Sequence, residues 1–124
     1  MSFINLYIDI DNDYDHFLES RTFSYIKENW KYVTGILGYN PDISYRRSSS
    51  GHVHLKVILR NDVSIIDQFK IRSLLHDDPW RIGIDLRRLA IQGANEINRI
   101  FDTKVKNGTV YTVGEWQDIS IEVI

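Results

Sequence analysis

Two aspartates stand two residues apart at the end of an alternating apolar segment, in Tyr7-Ile8-Asp9-Ile10-Asp11. On an extended strand, residues i and i+2 point to the same face, so the carboxylates of Asp9 and Asp11 should project together. Neighbouring carboxylates repel each other unless a cation lies between them, and hard divalent cations prefer oxygen ligands. The spacing therefore predicts a metal site at the end of this strand.

Two later segments carry ionisable residues in a similar pattern. His52 and His54 flank Val53 where a second alternation of apolar and polar residues begins, and Asp85 lies within the alternating segment 81–87. Strands from these segments, placed beside Asp9, would complete a metal-dependent nucleic-acid site. Each residue alone is also typical of an ordinary solvated strand face, so the prediction depends on their convergence.

Hydrophobic periodicity predicts the elements that must position these residues. Alternation or short β-type segments predict strands at 3–11, 43–47, 52–59 and 81–87. Spacings of three and four predict a helix from Phe23 to Leu37, which Gly38 and Pro41 end. Asp62 is a predicted N-cap for a helix that reaches Leu75. A further helix at roughly 88–101 and a hairpin at Asn107-Gly108 complete the chain.

The predicted order βαββαβ, followed by a helix and a hairpin, indicates an α+β fold of the ferredoxin-like (RRM-like) type. In this fold two helices cover one face of a four-stranded antiparallel sheet, and the first strand lies centrally, between the third and the fourth. The apolar residues of each strand must face the helices. The opposite face then collects the ionisable residues of three strands, Asp9, Asp11, His52, His54, Lys56, Arg81 and Asp85.

Composition bounds the class of protein. A length of 124 residues with 43% hydrophobic content predicts a single domain, 1–124. The net charge of −2 argues against a general polyanion-binding protein. The absence of cysteine excludes disulfides and thiolate metal sites. Without a signal-like or membrane-spanning apolar stretch, the sequence predicts a cytoplasmic protein with no membrane partner.

Three segments resemble the motifs of archaeo-eukaryotic-type primases and primase-polymerases. They are the Asp-x-Asp of 7–11, the Ser-rich turn and strand histidine of 48–54, and the apolar-Asp pair Ile84-Asp85. The resemblance implies an RRM-like primase-type catalytic kernel, in which Asp9, Asp11 and Asp85 hold Mg²⁺ or Mn²⁺. It further implies that His54 contacts the phosphates of an incoming nucleotide, although His52 competes for that position.

The implied activity is metal-dependent nucleotidyl transfer on a nucleic-acid template, with single-stranded nucleic acid and nucleoside triphosphates as partners. His54, Lys56 and Arg81 would bind the triphosphate, while Arg46 and Arg47 would hold the template backbone. Tyr7 would stack on a nucleobase.

Members of this family usually carry a further module, and often a zinc-binding stem or a helicase partner. The sequence therefore predicts a minimal primase-like protein, a subunit that works with a helicase or a primase partner, or a degenerate relative. The segment 74–81 also resembles small proteins of archaea and their mobile elements.

Two alternatives use the same fold differently. His52-Val53-His54 resembles the His-hydrophobic-His motif of HUH single-strand nucleases, with Asp9 or Asp11 as a third metal ligand. Such nucleases need a nucleophilic tyrosine on a downstream helix, whereas no tyrosine occurs between Tyr45 and Tyr111. The second alternative is a non-catalytic RRM-like module that binds nucleic acid or protein on its open sheet.

Overall fold

The computed structural model describes residues 2–94 and 97–123. Their elements are, in chain order, β1 (Phe3–Ile10), a 3-10 helix (Tyr14–Glu19), α1 (Arg21–Leu37), β2 (Ile43–Arg47), β3 (Val53–Arg60), α2 (Ile65–Leu74), α3 (Pro79–Gln92), β4 (Thr103–Lys106), β5 (Thr109–Thr112) and β6 (Gln117–Ile119). No helix in this part of the chain is long and apolar enough to cross a membrane.

The main sheet has four antiparallel strands in the order β1-β3-β2-β6, and β4 and β5 form a separate two-stranded hairpin. In the register of β1 against β3, Asp9 lies opposite His54 and Tyr7 lies opposite Lys56. The predicted α+β, ferredoxin-like class of fold is confirmed. The predicted turn at Asn107-Gly108 is confirmed as well, since both residues adopt the positive φ angles of a tight hairpin.

The core lies between the sheet and the helices and confirms the predicted strand parity. Leu6, Ile8 and Ile10 of β1 are buried, together with the alternate apolar residues of β3. Helix α1 covers them with Phe23, Ile26, Trp30 and Val33, all of which are buried. A slip of one residue would exchange the two faces of a strand. The burial of Ile8 and Ile10 therefore fixes Asp9 on the opposite side.

Residues 81–87 form part of helix α3, so their prediction as a strand was wrong. The side chain of Asp78 accepts a hydrogen bond from the backbone N–H of Trp80 at 2.9 Å, and Pro79 occupies the first helical turn. Both are helix-starting features. The helix predicted at 88–101 instead begins at Pro79 and ends at Gln92, and residues 95 and 96 of the predicted span lie outside the described residues.

Strand β1 is an edge strand, which corrects the prediction that it lies between two others. Side chains and loop backbone satisfy the edge that a fourth strand would have paired. The backbone N–H of Asp9 donates to Asp77 Oδ1 at 2.8 Å, and the N–H of Tyr7 donates to Asn98 Oδ1 at 2.7 Å. The N–H of Asp78 donates to the Asp9 carbonyl at 2.9 Å. An edge covered in this way is closed to pairing with another strand.

Helix α2 begins later than predicted. Ser64, not Asp62, is the N-cap, because its hydroxyl accepts a hydrogen bond from the N–H of Asp67 at 3.1 Å. Ile66 is exposed, and Ile71 and Leu75 supply the buried contacts. The apolar spacing located the helix, whereas the hydroxyl cap set its first residue.

Candidate functional site

A cleft of about 730 Å³ lies where β1 ends and β3 begins. The Ser-rich turn between β2 and β3, helix α3 and the start of β4 form its other walls. Its lining includes acidic, imidazole, hydroxyl, cationic and aromatic side chains, among them Asp9, Ser48, Ser49, Ser50, His52, His54, Asp78, Trp80, Arg81, Asp85, Arg88, Arg99, Phe101 and Lys104. All three segments of the primase resemblance therefore contribute residues to one cavity.

Asp9 and His54 face each other across β1 and β3. The distance from Asp9 Oδ1 to His54 Nε2 is 3.9 Å, which is too long for a hydrogen bond. Burial raises the pKa of Asp9, Arg81 opposes that rise, and the carboxylates of Asp77 and Asp78 add to it. A cation bound beside Asp9 would relieve this unfavourable environment of its charged form.

The ring of His54 is buried and has a fixed proton arrangement. Arg46 Nε donates to His54 Nδ1 at 3.1 Å, and a guanidinium nitrogen can only donate. Nδ1 therefore accepts, and the neutral ring must carry its proton on Nε2. Burial, together with the charges of Arg46 and Arg81, lowers the pKa of His54 to about 4. At neutral pH the ring consequently offers a neutral N–H donor on its Asp9 side.

The Ser-rich turn is held by its own hydrogen bonds. Ser48 Oγ accepts from the backbone N–H of His52 at 3.0 Å, and the N–H of Gly51 donates to the Ser48 carbonyl at 3.0 Å. Gly51 has a φ of 82°, a conformation that favours glycine. The turn therefore places the Ser49 and Ser50 side of the cleft in a defined position next to His54.

Asp11 and His52 form a second and more exposed acid–imidazole pair. Asp11 Oδ1 lies 3.3 Å from His52 Nδ1, and the Asp11 side chain is 86% exposed. The structure thus has a different histidine beside each of the two predicted acids, and Asp11, which follows the end of β1, is not among the residues that line the cleft. His54 is buried and His52 is partly exposed, so the structure distinguishes the two histidines that the sequence left equivalent.

Asp85 belongs to a buried charged cluster in the wall of the cleft. Arg72 Nη1 is 2.8 Å from Asp85 Oδ2, and the N–H of Asn98 donates to the same oxygen at 3.0 Å. Within residues 2–94 and 97–123, neither terminal nitrogen of Arg72 makes a well-oriented hydrogen bond, so the Arg72–Asp85 contact is an ion pair held by proximity. Asp85 was expected on a strand beside Asp9, and the structure instead commits its carboxylate to Arg72.

Asp77 completes the buried charged cluster and links it to β1. Its carboxylate accepts from Arg72 Nε at 2.6 Å, from Arg81 Nη1 at 2.8 Å and from the backbone N–H of Asp9 at 2.8 Å. Arg81 Nη1 also donates to the Tyr7 carbonyl at 2.9 Å. Arg81 lines the cleft as expected, but its guanidinium is held by the protein.

Of the other predicted binding residues, Tyr7, Arg46 and Lys56 lie on the open face of the sheet, whereas Arg47 is in register with the core residue Val53. Tyr7 and Trp116 stack with ring centroids 6.2 Å apart, and the Lys56 ammonium lies 4.6 Å from the Trp116 ring centre. The Arg46 guanidinium lies 4.4 Å from the same ring and also pairs with Asp102 at 2.9 Å. This face is therefore an aromatic and cationic cluster beside the cleft, and neither Lys56 nor Arg46 is part of the cleft lining.

Among residues 2–94 and 97–123, no three His, Asp or Glu side chains are grouped closely enough to hold a metal ion between them. Mg²⁺ commonly takes only one or two protein carboxylates and completes its shell with water and substrate phosphates. Asp9 and Asp11 fit that smaller requirement, because both carboxylates are accessible and the pKa of Asp9 is raised. Asp85 does not fit it, since its carboxylate is buried against Arg72.

Several cleft residues had no role in the sequence-based prediction. Arg88 and Lys104 add cations to the cleft, and Trp80 and Phe101 add aromatic rings that are 79% and 80% exposed. Nothing in their local sequence separates these residues from ordinary surface residues. Only the position of α3 across the strand ends brings Trp80 and Arg88 to the site.

Comparison of the chain with protein-family models, with curated proteins and with solved structures gave no match.

Proposed function

We propose that the chain carries out metal-dependent nucleotidyl transfer of the primase type, as part of a nucleic-acid replication system. The observation that carries this proposal is the convergence of three distant segments on one cleft. Asp9 from the first, the Ser48–Ser50 turn with His54 from the second, and Ile84 and Asp85 from the third all line that cleft. Cations and exposed aromatic rings border these acids. A triphosphate pairs with cations, and a nucleobase stacks on aromatic rings.

The phosphate groups would meet a neutral donor and a set of cations. His54 presents its Nε2–H close to Asp9, and an oxygen of a bound triphosphate placed there would accept that proton in a hydrogen bond. Arg88 and Lys104 line the same cleft and would offset the negative charge of the triphosphate. Arg81 contributes its charge from a fixed position set by Asp77.

Asp9 and Asp11 are the residues that would hold Mg²⁺ or Mn²⁺. When bound with substrate, such an ion activates an attacking hydroxyl and stabilises a leaving pyrophosphate. Asp85 does not have the metal-binding role that the resemblance implied. It is paired with Arg72 and anchors α3 in the wall of the cleft. The proposal therefore rests on two acids, with the remaining ligands supplied by phosphate and water.

The HUH nuclease alternative is weaker, because that chemistry needs the histidine nitrogens as metal ligands. The Arg46 bond forces the proton of neutral His54 onto Nε2, which leaves no lone pair for a metal ion. Tyr111, the first tyrosine after Tyr45, lies on β5 and not on a helix. A non-catalytic binding module remains the second candidate, favoured by the aromatic and cationic cluster around Trp116 on the open sheet.

The product of the reaction tests the proposal. With Mn²⁺ or Mg²⁺, nucleoside triphosphates and a single-stranded template, the protein, alone or with a helicase or primase subunit, should start or extend a strand. Asp9→Asn/Asp11→Asn should abolish synthesis, and the exposed pair Asp42→Asn/Asp62→Asn serves as the matched charge control. Template cleavage with a covalent tyrosine adduct would favour the nuclease, and tight binding without any product would favour the binding module.

A further inference from the structure

A narrow groove runs between the β4–β5 hairpin and the Ser-rich turn. It encloses about 260 Å³, and its lining includes Arg47, Ser50, Lys104, Lys106 and Tyr111. We call it the hairpin groove. It is separate from the aromatic cluster on the open sheet, and the role proposed for the cleft does not require it.

The charge of the hairpin groove is unusual for this chain. Three of its lining residues are cationic and none is acidic, although the whole chain has a net charge of −2. Within the described part of the chain, Arg47 and Lys106 enter no ion pair, and Lys104 Nζ only donates to Ser50 Oγ at 3.2 Å. Unpaired cations that converge on a groove indicate an anionic partner.

The register of the hairpin separates its two faces. Lys104 pairs with Tyr111 across β4 and β5, so the tyrosine ring and the cations share one side of the hairpin. Val105 pairs with Val110 on the other side. Cations beside an accessible aromatic ring match the needs of single-stranded nucleic acid, whose phosphates bind cations and whose exposed bases stack on rings.

The hairpin groove is continuous with the cleft, because Ser49, Ser50 and Lys104 line both. We propose that the hairpin groove binds the backbone of single-stranded nucleic acid where the strand leaves the cleft, with Arg47 and Lys106 on phosphates and Tyr111 against a base. This inference rests on the proposed function in so far as the bound strand is the template or product. The binding itself requires no catalysis.

The test measures binding without metal or nucleoside triphosphate. Fluorescence anisotropy with a labelled oligothymidylate of about 16 nucleotides should show binding that Arg47→Gln/Lys106→Gln weakens about tenfold at low salt. Two lost phosphate contacts should also reduce the slope of log affinity against log salt by about 1.4. Lys27→Gln/Lys31→Gln on α1 removes the same charge from exposed positions and should leave affinity and slope unchanged.

Tyr111→Leu separates nucleic acid from other polyanions. It should weaken oligothymidylate binding and leave inorganic polyphosphate binding unchanged, because polyphosphate has no base to stack. Equal losses in the α1 control pair, or an unchanged salt slope in Arg47→Gln/Lys106→Gln, would overturn the hairpin groove as the binding surface. Strand extension by the wild-type protein is measured in parallel, so a missing product with intact groove-dependent binding would refute the proposed function alone.

Discussion

The two ring nitrogens of His54 have different partners, and this difference determines what the residue can do. Nδ1 accepts from Arg46 Nε, and Nε2 lies toward Asp9. Burial and two nearby arginines lower the pKa to about 4, so the ring stays neutral over the physiological range. A neutral imidazole with this tautomer accepts at Nδ1 and donates at Nε2, whereas an imidazolium would have donors on both nitrogens and could not accept from Arg46.

The lowered pKa of His54 should appear in the pH dependence of stability. Unfolded His54 gains a proton as the pH falls through about 6.5, whereas the folded protein resists that proton until about pH 4. Stability should therefore be complete above pH 6.5 and decline toward pH 4, by up to about 3 kcal/mol. In urea unfolding at several pH values, His54→Gln should show a smaller decline over this window. The same decline in both proteins would contradict the assignment.

At the scale of elements, the turn between α2 and α3 covers the edge of β1 that no strand pairs. Asp77 accepts from the N–H of Asp9 and from Arg72 and Arg81, and the N–H of Asp78 donates back to Asp9. These contacts fix the strand that carries Asp9 against the helix that carries Arg88. The orientation of the cleft walls thus follows from one buried carboxylate.

Replacing Asp77 should be strongly destabilising. Asp77→Ala leaves the buried Arg72 without its closest partner and removes the carboxylate that is paired with Arg81. Breaking a buried ion pair from one side costs about 3–5 kcal/mol, so we expect a loss of that size in urea-induced unfolding. Asp62→Ala, at an exposed position, is the control and should change stability little. A loss below about 1 kcal/mol for Asp77→Ala would show that the cluster does not hold the edge.

The success of sequence prediction differed between elements for physical reasons. Long alternations of apolar and polar residues, a pattern that amphipathic helices do not show, predicted which side chains of β1 and β3 face the core. This prediction placed Asp9 and His54 correctly on the same face of the sheet. The alternation at 81–87 was too short to distinguish a strand from a helix. The N-cap at Asp78, followed by Pro79, starts a helix that includes these residues. Covering of the β1 edge by Asp77 and Asn98 depends on tertiary contacts that no local pattern encodes.

The same distinction applies to the candidate site. The sequence identified Asp9, His52 and His54, which line the cleft, because spacing along a strand determines the direction of a side chain. It could not show that Asp85 would be paired with Arg72, since arginine is seldom fully buried and this one is only 1% exposed. The cations Arg88 and Lys104 likewise depend on how α3 and the hairpin are placed.

For the whole molecule, the central claim is that Asp9 and Asp11 hold a metal ion against the phosphates of a nucleotide in the cleft. The most direct measurement is the affinity for a fluorescent nucleoside triphosphate, with and without Mn²⁺. Mn²⁺ should strengthen binding by about tenfold or more, equivalent to about 1.4 kcal/mol, in the wild-type protein and in Asp42→Asn/Asp62→Asn. Asp9→Asn/Asp11→Asn should lose that enhancement. Equal or tighter Mn²⁺-dependent binding after loss of the two acids would contradict the account, because the carboxylates would then only repel phosphate.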